Sequence, residues 1–159
     1  MLILEAFRGF KGTIVSGGTT SGVSGLIGDV QQTYSNTIQT VGYVPKGKAE
    51  SIDKRYTEIW FTDGNNFSPT ELLQYWIDIL ASDIRVSDVK FLGINGGRIS
   101  ALEYKIALAF GASVGIIQNS GMEADRLLSD REWNTSTNLL TLTKDPKDCY
   151  SFIQTALKD

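Results

Sequence analysis

Residues 14–29, IVSGGTTSGVSGLIGD, run a β-branched pair into two glycines, a row of hydroxyls and then an apolar repeat. Ile14 and Val15 are expected to end a buried strand, and residues 17–22 to form a loop. Val23, Leu26, Ile27 and Val30 follow at i, i+3, i+4 and i+7, the spacing of a helix that buries one face. A strand that passes through a glycine loop into a helix N-terminus gathers N–H groups and positive dipole at one point. That is an anion site.

The arrangement recurs at Gly93-Ile94-Asn95-Gly96-Gly97-Arg98-Ile99-Ser100, again after an expected strand and before an expected helix. Ligands of open parallel sheets sit beyond the carboxyl ends of the strands, so two such loops are expected to face one pocket. Gly17-Gly18 and Gly96-Gly97 would let a ligand approach the backbone, and Gly22 would close the first loop. Thr19, Thr20, Ser21 and Ser100 would add hydroxyl donors, and Arg98 would grip a phosphate or carboxylate in two-pronged fashion. Known phosphate loops do not fit. Gly22 is followed by Val23 and Ser24 rather than lysine, and neither loop has the dinucleotide spacing G-x-G-x-x-G. Gly22-Val23-Ser24-Gly25 also misses a nucleophile elbow by one position.

Each of these residues also has a plain structural reading. Glycines at strand-to-helix turns often serve only tight turns and packing. Ser100 and Glu103 have the spacing of a capping box, as do Ser68/Glu71 and Ser120/Glu123, so Glu103 needs no catalytic role. Arg55, within Asp53-Lys54-Arg55-Tyr56, reads as part of a solvated charge run. Trp60 and Trp76 read as core, while Trp133 fits either role.

The rest of the chain alternates helices with short apolar runs. Helices are expected over 2–10, 21–36, 68–82, 100–110, 120–128 and 146–157, the last capped by Asp145. Strands are expected over 13–16, 41–44, 58–62, 89–94, 113–117 and 139–143, with an exposed loop at 45–48 and a turn at 63–66. In the helix opened by Ser68-Pro69-Thr70-Glu71, the inward face is expected to be Leu73, Trp76, Ile77 and Leu80. Apolar runs without strict alternation, separated by helices, imply an α/β fold. Its mainly parallel sheet would be flanked by helices on both faces. The 159 residues read as a single domain. Doubly wound domains usually open with a strand, so the opening helix suggests an excised piece of a longer protein, or one lacking its first strand.

Composition narrows the chemistry. There is no histidine among the 159 residues and one cysteine, Cys149. Histidine bases and triads are therefore excluded, no internal disulfide is possible, and neither a metal nor a cofactor is expected. A net charge of −3 with no basic stripe argues against a nucleic-acid partner. No run of about 18 apolar residues marks a membrane partner, and a reducing, cytoplasmic setting is expected.

At the two glycine loops the sequence resembles the SLOG superfamily of Rossmann-like domains. The motifs are Ser16-Gly17-Gly18-Thr19-Thr20-Ser21-Gly22-Val23 and Asn95-Gly96-Gly97 through Glu103. The stretches 67–76, 107–112 and Asn119-Ser120-Gly121 are similar to its prokaryotic branch related to the TRPM channel N-terminal domain, and the similarity spans about residues 12–133. The resemblance implies a pocket for a nucleotide-derived small molecule, such as an ADP-ribose-like or cyclic-nucleotide signal. It further implies a sensory role, often in bacterial defence, beside a fused effector domain or in a homo-oligomer. The superfamily's LOG enzymes instead hydrolyse nucleoside monophosphates to base and ribose phosphate through a P-G-G-x-G-T-x-x-E loop. Gly96, Gly97 and Glu103 match that loop, while Asn95, Ile99 and Ser100 depart from it, and Arg55 is a doubtful match for the enzymes' arginine. The expectation is a ligand sensor. The alternative is a phosphoribohydrolase in which Glu103, with Arg55, is catalytic.

Overall fold

The computed structural model describes residues 2–155. In chain order the elements are α1 (Leu2–Ala6), β1 (Gly12–Ser16), α2 (Gly22–Thr33), β2 (Ile38–Pro45), β3 (Glu58–Thr62) and α3 (Pro69–Ala81). There follow β4 (Lys90–Gly93), α4 (Arg98–Phe110), β5 (Ser113–Ile117), α5 (Met122–Ser129), β6 (Leu139–Leu142) and α6 (Pro146–Gln154). The fold is α/β and Rossmann-like: every paired strand is parallel, and helices flank the sheets. The chain divides into two compact units, Met1–Asp78 and Ile79–Asp159, each with its own three-stranded sheet.

In the first unit the strand order is β1-β2-β3, with Val15 beside Val41 and Val44 beside Phe61. The central strand β2 is mostly buried and longer than the apolar run at 41–44, because Ile38, Gln39 and Thr40 also pair with β1. Its polar start is satisfied internally. Gln31 of α2 donates to the Ile38 carbonyl at 3.0 Å, and its amide oxygen accepts from the hydroxyls of Thr40 (2.9 Å) and Thr57 (3.0 Å). Buried polar groups persist when paired in this way. The edge strands are more open than expected. Val15 on β1 is exposed, and on β3 Trp60 is 56% and Phe61 46% exposed, so Trp60 is not core.

Helix α3 keeps the capping box read from Ser68 and Glu71. The Thr70 N–H donates to Ser68 Oγ at 3.2 Å and the Ser68 N–H to Glu71 Oε1 at 2.9 Å. Its inward face is rotated from the expected one. Leu72 and Trp76 are buried, while Leu73, Ile77 and Leu80 are exposed. The cause is polar. Glu71 Oε2 accepts from Thr62 Oγ1 at 2.8 Å, and Asp78 accepts from the Tyr43 hydroxyl at 2.6 Å. These two bonds hold α3 at one rotation about its axis.

In the second unit the order is β4-β5-β6, and the central strand β5 buries Val114, Gly115, Ile116 and Ile117. This continuous burial is what a parallel strand covered on both faces requires. Helix α6 begins as read, with the Lys147 N–H donating to Asp145 Oδ1 at 2.9 Å, and it ends at Gln154. The expected helical residue Leu157 lies outside the described residues. Other bounds differ too, among them the end of α2, at Thr33 rather than 36. α1 stops at Ala6, because the chain turns through Gly9 at φ +76°. Residues expected to form a loop at 45–48 instead begin a 3-10 turn, Lys46–Ser51. The helix expected from 120 starts at Met122. Among the described residues no helix is long and apolar enough to cross a membrane.

Candidate functional site

The first glycine loop is held by chain that follows it in sequence. The Asp53 N–H donates to the Gly18 carbonyl at 2.8 Å and the Thr20 N–H to the Ser51 carbonyl at 3.2 Å, while Thr19 and Ile52 form an antiparallel bridge. Thr19 is therefore buried and serves as an anchor. Ser21, which caps α2, makes no side-chain capping bond, and Gly22 opens the helix with space beside it. The helix's first N–H groups have no partner within the helix by geometry, so this end keeps the donors of an anion site.

Arg55 is not a loose member of a charge run. Its Nε and Nη2 donate to the two Asp53 oxygens at 2.9 and 2.7 Å, Nη2 also donates to the Gly25 carbonyl at 3.1 Å, and Nη1 donates to Asp29. Asp53 is 2% exposed, and the guanidinium hydrogen-bonded to it holds its carboxyl below the usual range. The same bonds raise the already high pKa of Arg55. A side chain at Gly28 would run into Asp53 and Arg55, so that position must be glycine for the cluster to close on α2. Four of the five N–H groups of Arg55 are thus committed inside the protein.

Gly18 also has a packing role. Its backbone is left-handed at φ +72°, and an added Cβ would lie 2.8 Å from Val44 Cγ2 and 3.0 Å from the Gly42 Cα. The close approach that needs glycine here is to β2.

The second loop is tied differently. The Asn95 N–H donates to Ser120 Oγ at 2.8 Å, and the Gly96 N–H to the side-chain oxygen of Asn95 at 2.7 Å. The Asn95 carbonyl accepts from Tyr104 Oη (2.7 Å) and the Ala124 N–H (3.1 Å), and the Gly96 carbonyl from the Glu123 N–H (3.2 Å). Burial, with Glu103 nearby, pushes the Tyr104 hydroxyl well above its ordinary pKa, so it stays a donor. The N–H groups of Asn95 and Gly96 are therefore spent, and Gly97 and Arg98, which follow, are exposed.

Helix α4 starts at Arg98, with Gly97 as a cap that makes no side-chain bond, so Ser100 is the third helical residue and not a cap. The expected Ser100/Glu103 capping box does not form, because the extended Gly97 takes the cap three positions before Ser100 and the helix begins at Arg98. The Ser120/Glu123 box is also absent. Gly121 caps α5, its N–H donates to Asp125 at 2.9 Å, and Glu123 pairs with Arg126 at 2.5 Å. Ser120 was legible as polar, but its role in holding Asn95 was not. Arg98 is exposed at the first position of α4, and none of the ion pairs among the described residues includes it. A cation there opposes the helix's own dipole at a cost of about 0.3–1 kcal/mol unless an anion joins it. Glu103 lies half-buried further along the helix, after Leu102.

A family model described as "SLOG in TRPM, prokaryote" matches residues 1–154 of the chain. No curated protein matches it.

The two loops predict opposite responses to alanine. Gly18→Ala should destabilise by about 1–3 kcal/mol through overpacking against β2. Gly97→Ala meets open space at an ordinary φ of −96° and should stay within about 0.5 kcal/mol of wild type. Denaturant midpoints measure both; equal midpoints for the two variants would refute this assignment of Gly18.

Proposed function

This chain belongs to the prokaryotic family of SLOG domains in TRPM, and we propose that it senses a phosphorylated, nucleotide-derived small molecule, ADP-ribose-like or a cyclic nucleotide. The observation that carries the reading is the start of α4. A helix N-terminus without a side-chain cap, an open glycine at Gly97 and an Arg98 in no ion pair among the described residues together make a receptor for a phosphate. The N–H groups of Gly97, Arg98, Ile99 and Ser100 would bind its oxygens, with Arg98 completing the charge. Within the first unit, taken by itself, the N–H of Gly22 and the hydroxyls of Thr20 and Ser21, next to Gly17, offer a donor set of their own at the start of α2, while Gly18 and Thr19 shape that loop from behind. Asn95 and Gly96 act the same way in the second loop, turning the chain so that Gly97 faces out. Occupancy would then be relayed to an effector domain or an oligomer partner, in a role such as bacterial defence signalling.

The hydrolase alternative asks Arg55 to hold the phosphate and Glu103 to stabilise a developing positive charge on ribose. Arg55 is committed to Asp53, Asp29 and Gly25, which favours the sensor.

Calorimetric titration with ADP-ribose and with adenosine tests the phosphate assignment. Losing a charge-assisted hydrogen bond of about 1.5–3 kcal/mol should weaken ADP-ribose roughly ten- to a hundredfold in Arg98→Ala, and leave adenosine unchanged. Equal losses for the two compounds, or no binding of ADP-ribose by the wild type, would overturn it. Incubation with nucleoside monophosphates separates sensor from enzyme. The sensor releases no free base, whereas base release that vanishes in Glu103→Gln would establish the hydrolase.

A further inference from the structure

A strand at the rim of a sheet leaves one row of N–H and C=O groups with no strand beside it, and proteins guard such rims with lysine, proline, a bulge or a covering segment. In the first unit, taken by itself, β3 is such a rim. It pairs in parallel with β2, from Val41 beside Glu58 to Pro45 beside Thr62, and with no other strand among the described residues. Its sequence, Glu58-Ile59-Trp60-Phe61-Thr62, holds no lysine, proline or glycine, and its register runs without a bulge. Its one charge is Glu58, whose carboxylate accepts from Trp60 Nε1 at 3.0 Å.

Successive strand residues point to opposite faces of a sheet. Trp60 lies beside Tyr43, which reaches Asp78 of α3, so Trp60 shares the face that carries α3. Phe61 lies beside Val44, on the other face. The unguarded rim thus carries an aromatic side chain on each face, 56% exposed at Trp60 and 46% at Phe61. Neither residue belongs to a glycine loop.

We infer that the free edge of β3 is an interaction surface for a second copy of this chain, the two strands pairing antiparallel about a two-fold axis at Trp60. A hydrogen-bonded pairing of a strand with its own two-fold copy runs antiparallel. Centred on Trp60, it sets Trp60 against Trp60, Ile59 against Phe61, Glu58 against Thr62 and Thr57 against Asp63. Apolar residues meet apolar ones, each carboxylate meets a threonine, and no like charges face each other, which is what cross-strand pairs favour. Centring on Phe61 would set Ile59 against Asp63, and centring on Ile59 would set Trp60 against Glu58. This self-complementarity in one register identifies the occupant as a copy of the strand. Half-exposed aromatic side chains of about 150–250 Å² each give the pair roughly 400 Å² of aromatic surface to bury. Five-residue strands keep the whole contact near or below the roughly 1,200 Å² of the smaller specific interfaces, so the dimer is weak and reversible.

Sedimentation equilibrium from micromolar to submillimolar protein, with amide exchange at both ends of that range and no ligand present, tests the inference apart from the reading of the ligand site. Wild type should dimerise with concentration, and the β3 amides that face away from β2 should exchange more slowly in the dimer. Trp60→Lys should weaken association about tenfold or more, because it sets two ammonium groups against each other at the axis and removes the aromatic pair. Trp60→Phe should keep most of the association, and Leu140→Lys, exposed on β6, should leave it unchanged. A wild type that stays monomeric throughout, a dimer that forms without protecting β3 amides, or one that folded Trp60→Lys leaves intact would each overturn the inference. The wild-type exchange pattern decides by itself if Trp60→Lys does not fold.

Discussion

The guanidinium of Arg55 is the tie on which the first glycine loop depends. It joins three parts of the chain: its own turn through Asp53, the second turn of α2 through the Gly25 carbonyl, and the same helix further along through Asp29. Segment 51–53, fixed in this way, supplies the backbone partners of Gly18 and Thr20. Removing one member of a buried charge pair costs far more than the pair contributes, because the survivor is left without its counter-charge. The loop's shape is therefore set by an ion cluster on its inner side, and its outer side keeps the donors of α2.

The second loop reaches a similar end by neutral means. Its carbonyls are satisfied by Tyr104 and by the first turn of α5, and its early N–H groups by Ser120 and Asn95 itself. None of these hydrogen bonds to Asn95 and Gly96 uses a charged side chain, and Arg98 stands exposed at the start of α4. This contrast assigns the two arginines different work. Arg55 shapes, and Arg98 is placed to bind.

The sequence revealed what short-range signals determine. β3, β5, the Ser68–Glu71 box and the Asp145 cap follow from a few adjacent residues, and each forms as read. The work of Arg55 was hidden because Asp29 and Gly25 are 26 and 30 positions away. The rotation of α3 was hidden for a similar reason. Leu72 and Leu73 both continue into helical stripes, and only the distant partners Thr62 and Tyr43 decide which stripe is buried. Ser100 and Ser120 misled because capping-box spacing recurs wherever serine precedes an acid, and glycines at 97 and 121 take the cap instead. Of the candidate site, the glycine loops were legible as loops. Which glycines pack inward and which face out was not, because it depends on β2, Ser100 and Tyr104 on the far side of each turn.

Amide hydrogen exchange on Arg55→Ala, read beside its affinity for ADP-ribose, tests most directly whether Arg55 builds the loop. The Thr20 and Asp53 amides, bonded to Ser51 and Gly18, should exchange about tenfold faster or more, since that factor needs only about 1.4 kcal/mol of lost local stability. Unchanged exchange at both amides together with lost ADP-ribose binding would contradict this account and make Arg55 a ligand-holding residue.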